Sequence, residues 1–107
     1  MNGYYELKEA AGGKFKFNLK AGNHEIILSS QLYTTKAAAQ NGIESCQKNG
    51  TDDAKFERLT SKADQPYFRL KAGNGQIIGS SEMYSSEAAR DNGIKSVQTN
   101  CATTTIK

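Results

Sequence analysis

Apolar and polar residues alternate strictly through Lys14–Lys20. In an extended strand, Phe15, Phe17 and Leu19 would share one face, and the lysines and Asn18 would share the other. Two further runs with strand character flank this segment, at Tyr4–Lys8 and at Glu25–Ser29. Glycine-containing turns separate the three runs, so this part of the chain predicts three antiparallel strands.

The hydrophobic period changes to that of a helix after Tyr33. We expect Thr34 to cap this helix and Gly50 to end it as a C-terminal glycine stop. At about 100° per residue, one stripe of the helix would hold Ala38, Gly42, Ile43 and Cys46. Glycine in mid-helix costs about 1 kcal/mol relative to alanine. We therefore expect Gly42 to lie where the helix approaches the sheet too closely for a Cβ atom.

The whole pattern occurs twice. Residues Phe17–Asn49 align without a gap with Phe68–Asn100 at an offset of 51 (68 minus 17), and about 19 of 33 positions are identical. The second helix is expected to have Ser85 as its cap and Glu87 in its first turn. Its predicted stripe is Ala89, Gly93, Ile94 and Val97.

The two copies diverge most where the second unit begins. Arg58 stands at the position that Leu7 holds in the first copy. A charged residue at a core-facing strand position predicts a bulge or a difference in register there.

Each half has about 50 residues, which is near the lower limit for an independent hydrophobic core. We therefore expect one domain over residues 1–107, with repeats at 1–51 and 52–107 that share a core. The predicted class is α+β, with one antiparallel sheet, both helices on one face and a pseudo-two-fold axis between the repeats. The β-branched run Thr103–Ile106 is expected to return to the sheet, at an edge in the other repeat.

Three blocks recur in order with fixed spacing in both copies: F-x-L-K-A-x-N-x-x-I-I, S-S/E-x-x-Y and N-G-I-x-S-x-Q. They span Phe17–Gln47 and Phe68–Gln98, and in this arrangement the chain resembles the YegP-like family of small bacterial proteins. The resemblance implies a repeated β3-α-β unit with exchanged C-terminal strands, assembled within one molecule as a monomer. It implies no catalytic or binding residue, because the family is functionally uncharacterised. His24 departs from the Asn-Gly hairpin of the second copy, and we expect a positive φ at this position.

Composition narrows the function classes only modestly. The sequence has no apolar window of about 18 residues and no signal-peptide layout, so we expect a cytoplasmic protein without a membrane partner. Cys46 and Cys101 occupy unmatched repeat positions and are expected to be free thiols, with Cys46 in the core and Cys101 partly exposed. With one histidine and no close cysteine pair, the sequence predicts no metal site and no cofactor.

Three residue sets allow a chemical interpretation beside a structural one. His24 could act as an acid–base group, but we expect a solvated turn residue, because its repeat counterpart is Gly75 and no Ser or Cys nucleophile is tied to it in sequence. Glu6 and Glu57 hold equivalent positions and could face each other as paired carboxylates, or simply lie on a watery strand face. Asn41 and Asn92 could bind a ligand between the helices; we expect instead that they are buried and hydrogen-bonded to a neighbouring backbone.

The helix-free face of the sheet is the best functional candidate. Strand alternation places on it Lys16, Asn18 and Lys20 from the first copy, and Tyr67, Arg69 and Lys71 from the second. Cations interleaved with an aromatic ring are typical of proteins that bind single-stranded nucleic acid. However, outward strand positions are polar in any half-solvated sheet, and the net charge of +3 is too small to decide.

The leading hypothesis is a non-enzymatic binding or interaction module. One alternative is weak binding of single-stranded nucleic acid or another polyanion through the helix-free face. The other is an enzyme with a site in the groove between the helices. The residues assigned to the polyanion hypothesis are Lys16, Lys20, Tyr67, Arg69 and Lys71.

Overall fold

A computed structural model of the chain describes residues 3–107. Within this range the chain forms six strands, two helices of 14 residues each and two short 3₁₀ turns. In chain order these are β1 (Tyr4–Ala10), a turn (Ala11–Gly13), β2 (Lys14–Lys20), β3 (Ile26–Ser30), α1 (Lys36–Asn49), a second turn (Asp53–Lys55), β4 (Phe56–Thr60), β5 (Pro66–Lys71), β6 (Ile77–Ser80) and α2 (Glu87–Asn100). The α+β class predicted from the sequence is confirmed. Neither helix is long and apolar enough to cross a membrane, as judged over the described residues.

The strands form a single antiparallel sheet in the order β1-β2-β3-β6-β5-β4. The two repeats join at the centre, where Ser29 pairs with Ser80 and Ser30 pairs with Gly79. The predicted edge-to-edge union of two half-sheets is therefore present.

Both repeats contribute to one hydrophobic core. Its fully buried side chains include Tyr5, Phe17, Leu19 and Leu28 from the first half-sheet and Phe68 and Leu70 from the second. Ile43 and Cys46 of α1 join the same cluster as Ile94 and Val97 of α2. The core thus lies between the helices and one face of the sheet and is continuous across the repeats.

Equivalent residues of the two repeats meet where the repeats join. Serine stands in both copies at the Ser29–Ser80 pair, whereas two other pairs have a glycine as one member. Leu28 corresponds to Gly79, and its Cγ lies 3.2 Å from the place that a Cβ would take on Gly79. Gly50 corresponds to Cys101, and a Cβ on Gly50 would lie 2.7 Å from the Cys101 Cβ. At these two pairs there is no room for a large side chain from both copies, because the two side chains would occupy the same space. The two repeats therefore differ in sequence at these positions.

Both cysteines are free and buried, so the expectation that Cys101 is partly exposed is wrong. Its side chain packs on Gly50, and its carbonyl accepts a hydrogen bond from Tyr5 Oη at 2.5 Å. Burial raises the pKa of the Cys46 thiol to about 12, so Cys46 packs as a small apolar side chain.

Both helix caps, and the first residue of each buried stripe, lie one position later than predicted. Thr35 and Ser86, rather than Thr34 and Ser85, accept hydrogen bonds from the amides three residues on. Glu87 lies in the first turn of α2 as expected. The buried stripes contain Ala39 and Arg90 instead of Ala38 and Ala89, together with the predicted residues that follow them. Gly50 follows α1 but has a right-handed backbone conformation, so it is not the left-handed glycine that typically ends a helix. A glycine is needed at this position because a Cβ atom would clash with Cys101.

The strand that begins the second unit is regular. Arg58 pairs with Phe68 as Leu7 pairs with Phe17, so the predicted bulge at Arg58 is wrong. Arg58 is exposed, and its guanidinium bonds to Asp53 and Asp91, so this position does not need an apolar side chain. The register shifts occur instead after Leu19 and after Leu70, at the same place in both copies.

The C-terminal residues return to the sheet beside β1, in the other repeat. Tyr5 and Ile106 form an isolated parallel bridge, and the Tyr5 and Leu7 amides donate to the Thr105 and Lys107 carbonyls at 2.9 and 3.0 Å. This agrees with the predicted position of the tail. A full exchanged strand is not shown.

The mid-helix glycines make room for a tyrosine ring. A Cβ on Gly42 would lie 2.7 Å from Tyr33 Cζ and 2.9 Å from Phe17 Cε2, and one on Gly93 would lie 2.7 Å from Tyr84 Cζ. Each tyrosine ring stacks on a core phenylalanine, Phe17 or Phe68, with centroids 6.2 Å apart. The close approach predicted for Gly42 is confirmed, and the tyrosine is the neighbour that imposes it.

We predict that Gly42→Ala destabilises the protein by about 1 kcal/mol, because overpacking outweighs the gain in helix propensity. The same change in a Tyr33→Leu background should be neutral or stabilising, because the ring is then absent. Urea unfolding of the four proteins of this double-mutant cycle measures the coupling. Stabilisation of the wild-type protein by Gly42→Ala would contradict the contact.

Candidate polyanion-binding face

Cross-strand pairing defines the open face, the face of the sheet opposite to the helices. Residues opposite each other in neighbouring strands point to the same side. One such row crosses all six strands and consists of Glu6, Asn18, Ser29, Ser80, Arg69 and Glu57. Alternation along the strands adds Tyr4 and Lys8 on β1, Lys14, Lys16 and Lys20 on β2, and Tyr67 and Lys71 on β5.

The structure brings the predicted residues onto one face but in two groups. Lys16 and Lys20 lie on β2, and Tyr67, Arg69 and Lys71 lie on β5. Strands β3 and β6 separate the groups, which at about 4.8 Å per strand puts them roughly 14 Å apart.

Two glutamates at equivalent positions neutralise part of this charge. Glu6 pairs with Lys20 at 3.2 Å and with Lys8 at 3.6 Å. Glu57 pairs with Lys71 at 3.2 Å and with Arg69 at 3.9 Å. Sequence reasoning missed these partners, although the equivalence of Glu6 and Glu57 in the two copies was a usable signal.

The ion pairs on the open face are weak. Their side chains are partly exposed, and such pairs contribute about 0–1 kcal/mol each. Burial acts to raise the pKa of Glu6, but hydrogen bonds from Lys20 and Asn18 and the charges of Lys20 and Lys8 outweigh it, so the pKa is lowered. Glu6 is therefore ionised at neutral pH, and a phosphate can compete with it for Lys20 at small cost.

Asn18 lies on the open face but is not in water, contrary to the prediction. It is only 3% exposed, and its amide donates to Glu6 Oε1 at 3.4 Å and accepts from Ser29 Oγ at 3.0 Å. Asn18 therefore ties together three neighbouring strands and is not offered to a ligand.

Each half of the open face carries a tyrosine ring beside a cation. The Arg69 guanidinium carbon lies 5.9 Å from the Tyr67 ring, and its Nη2 donates to Tyr67 Oη at 3.3 Å. Tyr4, which sequence reasoning did not assign to a site, has Lys107 Nζ 4.5 Å and Lys20 Nζ 5.9 Å from its ring. Its place in the β1 alternation with Glu6 was the signal that could have identified it.

His24, Glu6 and Glu57 are the other residues for which the sequence allowed a catalytic role. His24 has the expected positive φ, 69°, and its Nδ1 is 3.0 Å from Tyr4 Oη. Glu6 and Glu57 lie on β1 and β4, at opposite edges of the sheet and roughly 24 Å apart at about 4.8 Å per strand, so they are not a carboxylate pair.

Asn41 and Asn92 are exposed, so the expectation that they are buried and hydrogen-bonded is wrong. The helix turns them outward, beside the buried Gly42 and Gly93. Four clefts are described within residues 3–107, and none of the four is lined by residues of both helices. The hypothesis of an active site between the helices therefore has no supporting cavity among them.

Comparison with known proteins finds the same domain family twice. The family described as "Domain of unknown function (DUF1508)" matches residues 10–57 and 61–107. A UPF0339 protein of Acinetobacter baylyi is 57% identical over 107 residues, covering 100% of this chain and 96% of that protein. The UPF0339 protein YegP of Yersinia pestis is 51% identical over 105 residues, covering 98% of this chain and 94% of that protein.

Two solved structures have the same fold. The solution NMR structure of a UPF0339 protein from Shewanella oneidensis matches with a TM-score of 0.94 and 60% identity, over 100% of this chain and 91% of that one. The NMR structure of YegP from E. coli, described as a protein of unknown function, matches with a TM-score of 0.95 and 45% identity, over 100% and 92%. The resemblance seen in the repeated sequence blocks is confirmed, and the chain belongs to the UPF0339 family, with two tandem copies of its DUF1508 domain.

Proposed function

We propose that this protein is a non-enzymatic binding module whose open face contacts a polyanion, with single-stranded nucleic acid as the best-fitting class. The observation that carries the proposal is the excess of positive charge on that face. Six cations (Lys8, Lys14, Lys16, Lys20, Arg69 and Lys71) stand against two carboxylates (Glu6 and Glu57), which gives six minus two, or +4. This exceeds the net charge of +3 for the whole chain, so the remaining surface is close to neutral.

The shape and aromatic content of the face suit a strand of nucleotides. Antiparallel sheets with exposed rings bind single strands by stacking bases on the rings and placing phosphates on the cations. Tyr67 is partly exposed and lies beside Arg69, so this half offers both groups. Lys14 and Lys16 have no ion pair within 4.0 Å in the described residues and extend the positive track across β2.

We further infer that the tail beside β1 completes an exchange of strands within the chain, so that the binding unit is a monomer. The Lys107 amide also donates to the Tyr5 carbonyl at 2.7 Å, which supports a short strand in place of a single bridge. The tail carries Lys107 to the Tyr4 ring and so adds a cation to the edge of the open face.

The test is binding of a fluorescein-labelled oligothymidylate by fluorescence anisotropy at low and at raised salt, with sedimentation of the same samples against the monomer mass of 11.6 kDa. The wild-type protein should bind weakly, with an affinity that falls steeply as salt rises. Glu6→Gln with Glu57→Gln should raise the affinity about tenfold, because Lys20, Lys71 and Arg69 are released to the phosphates. Damage to the fold would not produce a gain.

A matched control separates local from global charge. Glu44→Gln with Glu82→Gln adds the same net charge at exposed positions away from the open face and should change the affinity less than twofold, within about 0.4 kcal/mol. Lys16→Gln with Lys71→Gln should weaken binding. Equal effects of the two glutamate pairs, or no binding by the Glu6 and Glu57 variant at low salt, would contradict the proposal.

A further inference from the structure

The outer edge of β1 is only partly covered. The C-terminal tail (residues 103–107) pairs with its first half, where the Tyr5 and Leu7 amides donate to carbonyls of the tail. These two residues therefore direct their backbone groups away from β2. In an antiparallel strand every second residue does so, and Glu9 is the next one along the regular register of β1 with β2.

Beyond the tail, the outward groups of β1 are unpaired within residues 3–107. No backbone hydrogen bond from the tail or a loop reaches the Leu7 C=O or the Glu9 N–H. Such groups on an edge strand are a template for pairing with a further strand. The first half of the same edge shows the kind of segment that fits, because the tail pairs there in the parallel direction.

A cavity of about 430 Å³ lies against this uncovered stretch, and its volume is in the range of ligand sites. Its floor is apolar: Leu7 packs against the core, Phe15 is half-buried and Ile106 of the tail is 47% exposed. Lys36 and Gln40 line it from α1. An apolar side chain placed beside Ile106 would therefore rest on an apolar floor.

The second repeat shows a closed form of the same edge. At an offset of 51, Arg58 stands at the position of Leu7 and Asp91 at that of Gln40. The Arg58 Nε donates to Asp91 Oδ1 at 3.3 Å, so an ion pair joins the edge of β4 to α2. Charged side chains on an edge strand discourage further pairing. The edge of β1 has Leu7 and Gln40 in place of this pair.

The tail sets the register of a strand that continues along β1. The Lys107 amide donates to the Tyr5 C=O at 2.7 Å, and its carbonyl accepts from the Leu7 amide at 3.0 Å, so Lys107 lies opposite Glu6. The Lys107 side chain reaches the open face, where its Nζ lies 4.5 Å from the Tyr4 ring.

The next residue with this orientation, two positions further along such a strand, would lie opposite Lys8 and use the Leu7 C=O and the Glu9 N–H. Lys8 has a side chain that is 54% exposed and only a weak pair with Glu6 at 3.6 Å. A carboxylate is therefore the complementary group at this position. The residues before and after it would face α1, because successive side chains alternate, and the apolar floor suits β-branched side chains there.

From these observations we propose that the edge of β1 beyond the tail binds an extended peptide of the pattern apolar–acidic–apolar, parallel to β1. The backbone of the acidic residue bonds to the Leu7 C=O and the Glu9 N–H. Its carboxylate meets Lys8, and the apolar side chains cover Leu7 and Phe15. The proposal does not depend on the polyanion contact, although Lys8 borders both sites.

The experiment is titration of the ¹⁵N-labelled full chain with acetyl-Val-Glu-Val-amide, followed by NMR. Shifts should be confined to the second half of β1, Phe15 and the tail, with a downfield proton shift of the Glu9 amide, which gains a hydrogen bond. Acetyl-Val-Lys-Val-amide should bind about threefold more weakly, because it meets Lys8 with a like charge. The Val-Glu-Val peptide with an N-methyl group on its glutamate should bind about tenfold more weakly, because it lacks the donor for the Leu7 C=O.

Three results of this titration would overturn the proposal. They are shifts centred on another surface, equal affinities for all three peptides, and an unchanged spectrum at a large excess of acetyl-Val-Glu-Val-amide.

Two changes at Glu9 isolate the backbone contact. Glu9→Pro removes the outward N–H, which an edge strand tolerates because that group faces solvent, and should weaken binding of acetyl-Val-Glu-Val-amide about tenfold. Glu9→Gln makes the same change in charge but keeps the N–H, so its affinity should stay within about twofold of the wild-type value. Equal affinities of the two folded variants would contradict the assigned hydrogen bond.

A further variant closes the edge with the residues of the other repeat. Leu7→Arg with Gln40→Asp copies the pair that Arg58 and Asp91 form and leaves the net charge unchanged. It should abolish binding of acetyl-Val-Glu-Val-amide, and the dispersion of its amide spectrum checks that it is folded. Wild-type affinity in this folded variant would overturn the site.

Discussion

The structure depends on the burial of one core to which both repeats contribute. The helices and half-sheets of both copies contribute to the same cluster, from Phe17 and Ile43 in the first to Phe68 and Ile94 in the second. With about 50 residues, each half is near the lower limit for an independent core, which favours a shared one. Because the core is shared, equivalent residues of the two repeats come into contact with each other. Leu28 with Gly79 and Gly50 with Cys101 fit together because one member of each pair has no side chain.

Away from the axis the two copies are free to differ, and they differ on the open face and at the ends of their hairpins. On the open face, lysines lie beside Tyr4 in the first half and Arg69 lies beside Tyr67 in the second. Glu6 and Glu57 form ion pairs with lysines at equivalent positions in the two halves. The hairpin ends differ as well, because the rings of Tyr4 and His24 pack together in the first copy, where the second copy has Lys55 and Gly75 at the equivalent positions. The two repeats thus have the same backbone fold but carry different side chains at these surfaces.

Much of the fold could be predicted because it depends on local patterns and on the exact repeat. The alternation in β2 and the glycines of both helices indicated faces correctly, since these follow from periodicity alone. The cap at Thr35 could not be chosen over Thr34, because both are hydroxyl residues with the same propensity. The burial of Cys101, the partners of Arg58 and the ion pairs of Lys20 and Lys71 required the register between strands and the position of the axis, which one sequence does not contain.

The shared core is tested most directly by native-state hydrogen exchange at increasing denaturant. If the repeats form one cooperative unit, the protected amides of β2 and β5 should exchange with the same free energy of opening and the same denaturant dependence, both equal to those of global unfolding. Two distinct values, with one repeat opening while the other stays protected, would show that each copy has a core of its own and would contradict this account.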